Sequence, residues 1–206
     1  MKLHYHPFSP NVRTVLMAAD ILGIQLELKL VDLESGEHKT PEYLQLNPNG
    51  MVPTLEDEGF VLWEANAIVQ YLASTKSRQT LYPVEPKARA DVARWLFWDL
   101  SYWTPPTQTL AFERMFKKML GMGEPDPDVV NRSLNEFHRV AKIVDGHLGK
   151  HAHMVNGKLT LADLSLASRL SFAGPAQYPL AEYRNLSRWF DSIRALDAWK
   201  KTEPTM

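Results

Sequence analysis

Apolar and polar positions alternate at two different periods along the first third of the chain. Lys2 to His6 reads as a short strand, with Leu3 and Tyr5 on one face. Pro7-Phe8-Ser9-Pro10 is a turn. From Asn11 onward, Val12, Val15, Leu16, Ala19 and Leu22 recur at helical spacing, and Gly23 ends the run. Leu26, Leu28 and Leu30 alternate with polar residues, which predicts a second strand. Strand, helix, strand implies a parallel pair with a right-handed crossover. Thr40-Pro41-Glu42 starts a short helix, Thr40 as N-cap and Pro41 at the first helical position. Asn47-Pro48-Asn49-Gly50 is turn chemistry. Val52 to Leu55 reads as a strand that contains Pro53, which confines it to a sheet edge unless Pro53 has a special role. Asp57-Glu58-Gly59 turns the chain into a returning strand, Phe60 to Trp63. Glu64 then opens a helix carrying Ala65, Ile68 and Leu72.

Past a polar stretch with Pro83 and Pro86, every periodic segment is helical. The expected division is a mixed domain at 1–75, a linker at 76–87 and an all-helical domain at 88–206. Ala88 to Trp103 carries Trp95, Trp98 and Tyr102 on one stripe and Leu96, Phe97, Leu100 and Trp103 on another. A helix so apolar is expected to be buried on most sides. Pro105-Pro106 is expected to break or kink it. Phe112, Met115, Phe116 and Met119 mark a further segment, and 121–127 a loop. Asp128 to His147 is a helix whose core stripe runs from Val130 through Phe137 to Val144. Thr160-Leu161-Ala162-Asp163 is a capping-box pattern, which makes Asp163 a helix cap rather than a catalytic acid. A last helix is expected from Asn185 to Trp199.

Composition narrows the chemistry. Forty-five per cent hydrophobic residues suffice for a real core, and a net charge of −1 gives no footprint for nucleic acid or an anionic membrane. With no cysteine, disulfides, thiolate metal sites and protein-borne thiol redox chemistry are excluded. The first residues lack a signal-peptide apolar run, and no apolar stretch is long enough to span a membrane, so a soluble cytoplasmic protein is expected. His147, His151 and His153 cluster, but the ordinary role of such residues at a helix C-terminus is to favour its dipole, and no metal is expected.

Two backbone features converge between Asn47 and Tyr71. A strand edge at Val52 can pair with an extended peptide. The helix N-terminus at Glu64-Ala65-Asn66 attracts a carboxylate. Together they suit a short acidic peptide. The strings NPNGMVPTL and LWEANAIVQYL resemble the glutathione-binding core of the cytosolic glutathione transferases, of the bacterial theta- and phi-like kind with a serine-type site. Thr160 to Asp163 resembles the capping motif of that family's helical domain. The resemblance implies an α/β thioredoxin-like domain followed by an all-α helical bundle. It also implies a cis bond before Pro53 and backbone pairing of Val52 with the cysteinyl part of glutathione.

In such enzymes a serine at the turn after the first strand donates a hydrogen bond to the glutathione sulfur, and FSPNVRTV resembles that segment. Ser9 is therefore the expected sulfur-contacting residue and Asn11 a second one. As an ordinary helix start, Ser9 is also an N-cap ahead of Pro10. Tyr5 is the rival donor. His38 and Lys39 resemble the pair that receives the glycine carboxylate, and are otherwise solvated loop residues. Glutathione contacts are expected at His38, Lys39, Met51, Val52, Pro53, Glu64, Ala65 and Asn66. Met51 and Ala65 depart from the pattern, in which position 51 is usually Lys, Arg or Gln and position 65 Ser. These changes are expected to weaken the peptide's hold, with the Asn66 amide as a substitute contact. Phe8, Trp103, Phe112, Met115 and Phe116 are the expected pocket for an apolar electrophile. The resemblance implies a homodimer that conjugates the glutathione thiolate to small electrophiles. The alternatives are a non-catalytic binding protein on the same fold and a glutathione-dependent isomerase or dehalogenase.

Overall fold

The computed structural model describes residues 1–77 and 81–204, so positions 78–80 of the expected linker, and the last two residues of the chain, lie outside the described residues. Cα positions fall into two compact units, Met1–Tyr82 with Leu196–Met206, and Pro83–Ala195.

The first unit follows the predicted order. Its elements are β1 (Lys2–Tyr5), α1 (Pro10–Leu22), β2 (Glu27–Leu30), α2 (Pro41–Leu46), β3 (Thr54–Asp57), β4 (Phe60–Trp63) and α3 (Ala65–Ser74), with a 3₁₀ turn at Glu37–Lys39. Gly23 ends α1 at φ 63°, a left-handed conformation that suits glycine. The sheet order is β2-β1-β3-β4. β1 pairs with β2 in parallel, as the crossover requires, whereas β1–β3 and β3–β4 are antiparallel. Helices α1 and α3 pack together, burying Val15, Ile68 and Leu72 completely.

Of the two readings of Pro53, the edge strand is not what the structure shows, and the special role is. The strand that follows it is internal, between β1 and β4, and begins at Thr54. Pro53 stands just before the ladder and removes no bond from it. The Val52–Pro53 peptide is cis.

The second unit is helical. It contains α4 (Pro86–Trp98), α5 (Thr104–Ala111), the short α6 (Lys117–Met119), α7 (Pro127–Leu148), α8 (Leu161–Ser168) and α9 (Arg184–Arg194). Pro105-Pro106 does not break the chain's course here. A π-helical turn, Asp99–Trp103, joins α4 to α5, and a second, Phe112–Phe116, joins α5 to α6. The wider turn takes up the missing proline N–H groups. In the turn that follows, the Thr107 hydroxyl donates to the Trp103 carbonyl at 2.8 Å. The aromatic stretch is also less enclosed than expected, since Phe97 is 70% exposed and Leu100 and Tyr102 are exposed too. Phe137, Val140, Ala141 and Val144 of α7 are buried as the periodicity predicts.

Two buried carboxylates organise this unit. Asp163 accepts from the Thr160 backbone N–H at 2.9 Å and from its hydroxyl at 2.9 Å, from Met154 N–H at 3.0 Å and from the Trp189 indole at 2.9 Å. The capping role read from the sequence is therefore one part of a larger buried junction. Asp99 accepts from Ser165 at 2.7 Å and from the Arg169 guanidinium at 3.0 Å.

The expected last helix is two helices. Leu196, with φ −63° and ψ 140°, separates α9 from α10 (Asp197–Lys201). Arg13 holds α10 in the first unit. Its Nη2 donates to the Trp199 carbonyl at 2.9 Å, and its guanidinium lies 3.6 Å from the centroid of that indole. Burial pulls the Arg13 pKa down to about 10 against the opposing pull of Glu203.

Candidate functional site

The register of the sheet gathers the predicted site at one end. β1 runs toward Tyr5, and His4 lies opposite Thr54. The antiparallel neighbour therefore brings the Met51–Pro53 turn to the end of β1, where His6 to Ser9 follow. Trp63 lies opposite Thr54 on the other side, so Glu64 and the first turn of α3 come to the same end. Tyr5 pairs with Leu30, and the loop after β2 leads from there to His38 and Lys39. Four separate segments thus meet at one sheet end, all within the first unit.

Ser9 adopts an extended conformation as N-cap of α1. Its Oγ accepts the Val12 N–H at 3.3 Å. A hydroxyl that accepts one bond still has its proton to donate. Asn11 stands at the second position of that helix and is half-buried. The positive end of α1 lies here as well.

At Val52 neither backbone group bonds to another described residue. The segment is held from behind. The Tyr43 hydroxyl donates to the Met51 carbonyl at 2.7 Å, and the Asn47 amide donates to it at 2.9 Å. Tyr43 also reaches Thr54 Oγ1 at 3.1 Å, as does Asn47 at 3.1 Å. Burial pushes the Tyr43 phenol pKa up, so it stays a donor. Tyr43, Asn47 and Thr54 were not singled out in the sequence as support for the site. The Asn47 turn chemistry was the available signal. Gly50 is a position where only glycine fits, because φ is 60° and a Cβ would meet the His38 carbonyl at 2.9 Å.

Glu64 precedes α3 with φ 72°, a conformation disfavoured for a side-chain-bearing residue. Its carbonyl accepts from Ala67 and Ile68, each at 2.9 Å. Ala65 and Asn66, both buried, form the first turn, whose N–H groups lie outside the helical ladder pattern. His38 has a buried Nδ1 with no partner among the described residues, Lys39 is exposed, and Met51 is 66% exposed.

The five expected pocket residues do not behave alike. Phe8 is a half-buried residue of the first unit, its ring 5.9 Å from that of His6. In the helical unit, Trp103 is fully buried and donates its indole N–H to the Leu166 carbonyl at 3.0 Å. It is a core residue of that unit, since its ring has no exposed surface to offer a ligand. Met115 is likewise buried. Phe116 packs edge-on against Phe172 at 5.0 Å, and Phe112 is exposed. Periodicity alone does not separate such core aromatics from surface ones.

Residues 1–74 match the family described as Glutathione S-transferase, N-terminal domain, and residues 104–197 match Glutathione S-transferase, C-terminal domain. A delta-class glutathione transferase of Nilaparvata lugens is 36% identical, with 98% of this chain and 92% of that one covered and a TM-score of 0.84. Glutathione transferase F2 of Populus trichocarpa is 26% identical over 98% and 96% of the two chains, at a TM-score of 0.90. A glutathione S-transferase-I solved with lactoylglutathione bound is 28% identical over 100% and 99%, at a TM-score of 0.90. The chain belongs to the cytosolic glutathione S-transferase superfamily. Among the described residues no group of three or more His, Asp or Glu side chains could hold a metal ion, and no helix is long and apolar enough to cross a membrane.

Proposed function

We propose that the protein binds glutathione at this sheet end and transfers its thiolate to small apolar electrophiles. The observation that carries the reading is the open backbone of Val52, lying between the start of α1 at Ser9 and the start of α3 at Ala65. A γ-glutamyl-cysteinyl segment would add to the Val52 edge by backbone pairing. Its γ-glutamyl carboxylate would face the first turn of α3. His38 and Lys39 would take the glycine carboxylate.

The chemistry then falls to Ser9. A free thiol titrates near 8.5, so a thiolate at neutral pH needs a donor and a positive potential. The Ser9 O–H supplies the first and the α1 N-terminus the second. The thiolate attacks the electrophile, the carbon–sulfur bond forms as the leaving group departs with its electron pair, and the thiol proton passes to solvent. Ala65 and Met51 lower affinity without removing the backbone contacts. Calorimetric titration with glutathione tests the reading, and no binding at millimolar ligand overturns it.

Assembly belongs to the same reading. The exposed Phe97, Leu100 and Tyr102 support a two-fold homodimer, the commonest closed assembly. A monomer mass by light scattering at micromolar concentration is the contrary result.

A further inference from the structure

His6 occupies the loop between β1 and α1, and nothing in the proposed chemistry uses its imidazole. It is half-buried. Its carbonyl accepts the Ser9 N–H at 3.0 Å, and its Nδ1 accepts the Phe8 N–H at 3.4 Å. A ring nitrogen that accepts a backbone N–H has its lone pair there and its proton on Nε2. This is one neutral tautomer, and protonation of Nδ1 would set two N–H groups against each other.

We propose that His6 is a positioning residue for Ser9, its neutral imidazole fixing the Phe8 amide and so the direction in which the Ser9 hydroxyl donates. The inference rests on the thiolate reading of Ser9 given above. Two hydrogen bonds anchor the start of the loop 6–9, the Ser9 N–H on the His6 carbonyl and the Phe8 N–H on the His6 ring. The ring also lies 5.9 Å from Phe8, tilted by 39°, so it sets that side chain as well. Burial favours the neutral ring and prevails over the charges of Glu34 and Asp32, in the loop after β2, which favour its protonated form. Asp32 is itself fixed, accepting from Glu34 and Ser35 N–H, each at 3.0 Å.

The test compares wild type, His6→Phe, His6→Asn and Ser9→Ala by pH–rate profiles with glutathione and an aryl halide, the folded fraction checked for each. Asparagine places an acceptor oxygen near Nδ1 but does not titrate. A misplaced donor is expected to lower kcat of His6→Phe roughly 10- to 100-fold near neutral pH, with KM for glutathione nearly unchanged. His6→Asn should recover most of that loss. The wild-type rate should also fall more steeply than the thiol alone dictates as pH drops below 6.5, and His6→Asn should lack this extra limb. If His6→Phe retains the wild-type kcat, or if His6→Asn is no better than His6→Phe, the positioning role is wrong. An unaltered Ser9→Ala profile would instead defeat the thiolate reading itself.

Discussion

The Ser9 hydroxyl oxygen accepts the Val12 N–H at 3.3 Å and still has its own proton to give. Capping a helix and contacting a thiolate, which compete as readings of the sequence, are therefore compatible uses of one group. The cap holds the oxygen at the α1 N-terminus, and the free O–H direction is what remains for chemistry.

Ser9→Ala should consequently show two separable effects. Loss of the cap lowers stability by roughly 0.5–2 kcal/mol. Loss of the donor raises the pKa of bound glutathione, so the rate falls most near neutral pH and recovers as pH rises. Affinity should change little, because the Val52 backbone and the α3 N-terminus are untouched. Conjugation rates across pH, per folded molecule, decide this. Superimposable profiles would leave Ser9 as a cap and turn attention to Tyr5 or Asn11.

Ala65→Ser places a hydroxyl at the first position of α3, in a nearly closed site. Without ligand this hydroxyl has lost water, and free-protein stability should fall slightly. With glutathione present it is expected to meet the γ-glutamyl carboxylate. A hydrogen bond to a charged group contributes roughly 1.5–3 kcal/mol, so the dissociation constant should drop about tenfold or more. An unchanged constant by calorimetry would show that the γ-glutamyl group lies elsewhere.

Much of this site was legible because it is built from local signals. Ser9 before Pro10, Thr40 before Pro41, and the 47–50 turn each declare a helix end or a turn within four residues. What was illegible depends on partners far along the chain. Whether Pro53 marks an edge strand or has a special role is open in its local pattern, because the strand neighbours, β1 and β4, are fixed by ladder pairing and not by the Pro53 segment itself. The course through Pro105-Pro106 depends on a π turn, which has no periodic signature. Leu196 continued the stripe of α9, and partners more than 180 residues earlier, Arg13 on the Trp199 carbonyl and Asp20 on Lys201, explain why α10 joins the first unit.

Tyr43 and Asn47 both donate to the Met51 carbonyl, so they hold the turn on which Val52 sits. Tyr43→Phe removes one donor and leaves the other, and should cost about 1 kcal/mol. Tyr43→Phe combined with Asn47→Ala leaves that carbonyl without either partner and should cost more than the sum of the two single changes. If the turn positions the peptide, KM for glutathione rises in the same order while kcat at saturation changes little. Denaturant titrations and steady-state kinetics on the three variants test both halves. An additive double mutant with unchanged KM would mean the turn is fixed by other contacts.

Trp103 and Phe112 separate core from surface within the helical unit. Trp103→Ala removes a fully buried indole and leaves its Leu166 carbonyl partner unpaired, so a loss of about 3–5 kcal/mol is expected. Phe112→Ala removes an exposed ring, and its cost should stay within about 0.5–1 kcal/mol. If Trp103 were a ligand contact, the milder Trp103→Phe would alter KM for the electrophile more than Phe112→Ala does. With its ring fully buried, Trp103→Phe should instead leave that KM nearly unchanged, measured with a series of aryl halides.

Two histidines near the end of α7 should make stability respond to pH in opposite senses. His153 Nδ1 lies 3.3 Å from Asp163 Oδ1, and that bond to the buried carboxylate raises its pKa. A raised folded-state pKa means the unfolded chain releases the proton first. The contribution of His153 is therefore fully present below its unfolded value of about 6.5 and is lost as pH rises through the folded value. His147 is the reverse case. Burial lowers its pKa, and the neighbouring His151 ring, 4.5 Å away, adds to the effect. Here the unfolded chain takes up the proton first, so stability is lost as pH falls from about 6.5 through the folded value. His153→Gln should thus lower the melting temperature more at pH 5.5–6 than at pH 8. His147→Gln should flatten the loss of stability on the acid side. Thermal unfolding of the wild type and both variants between pH 5 and 8.5 measures this, and parallel curves for all three would show that neither histidine is linked to folding.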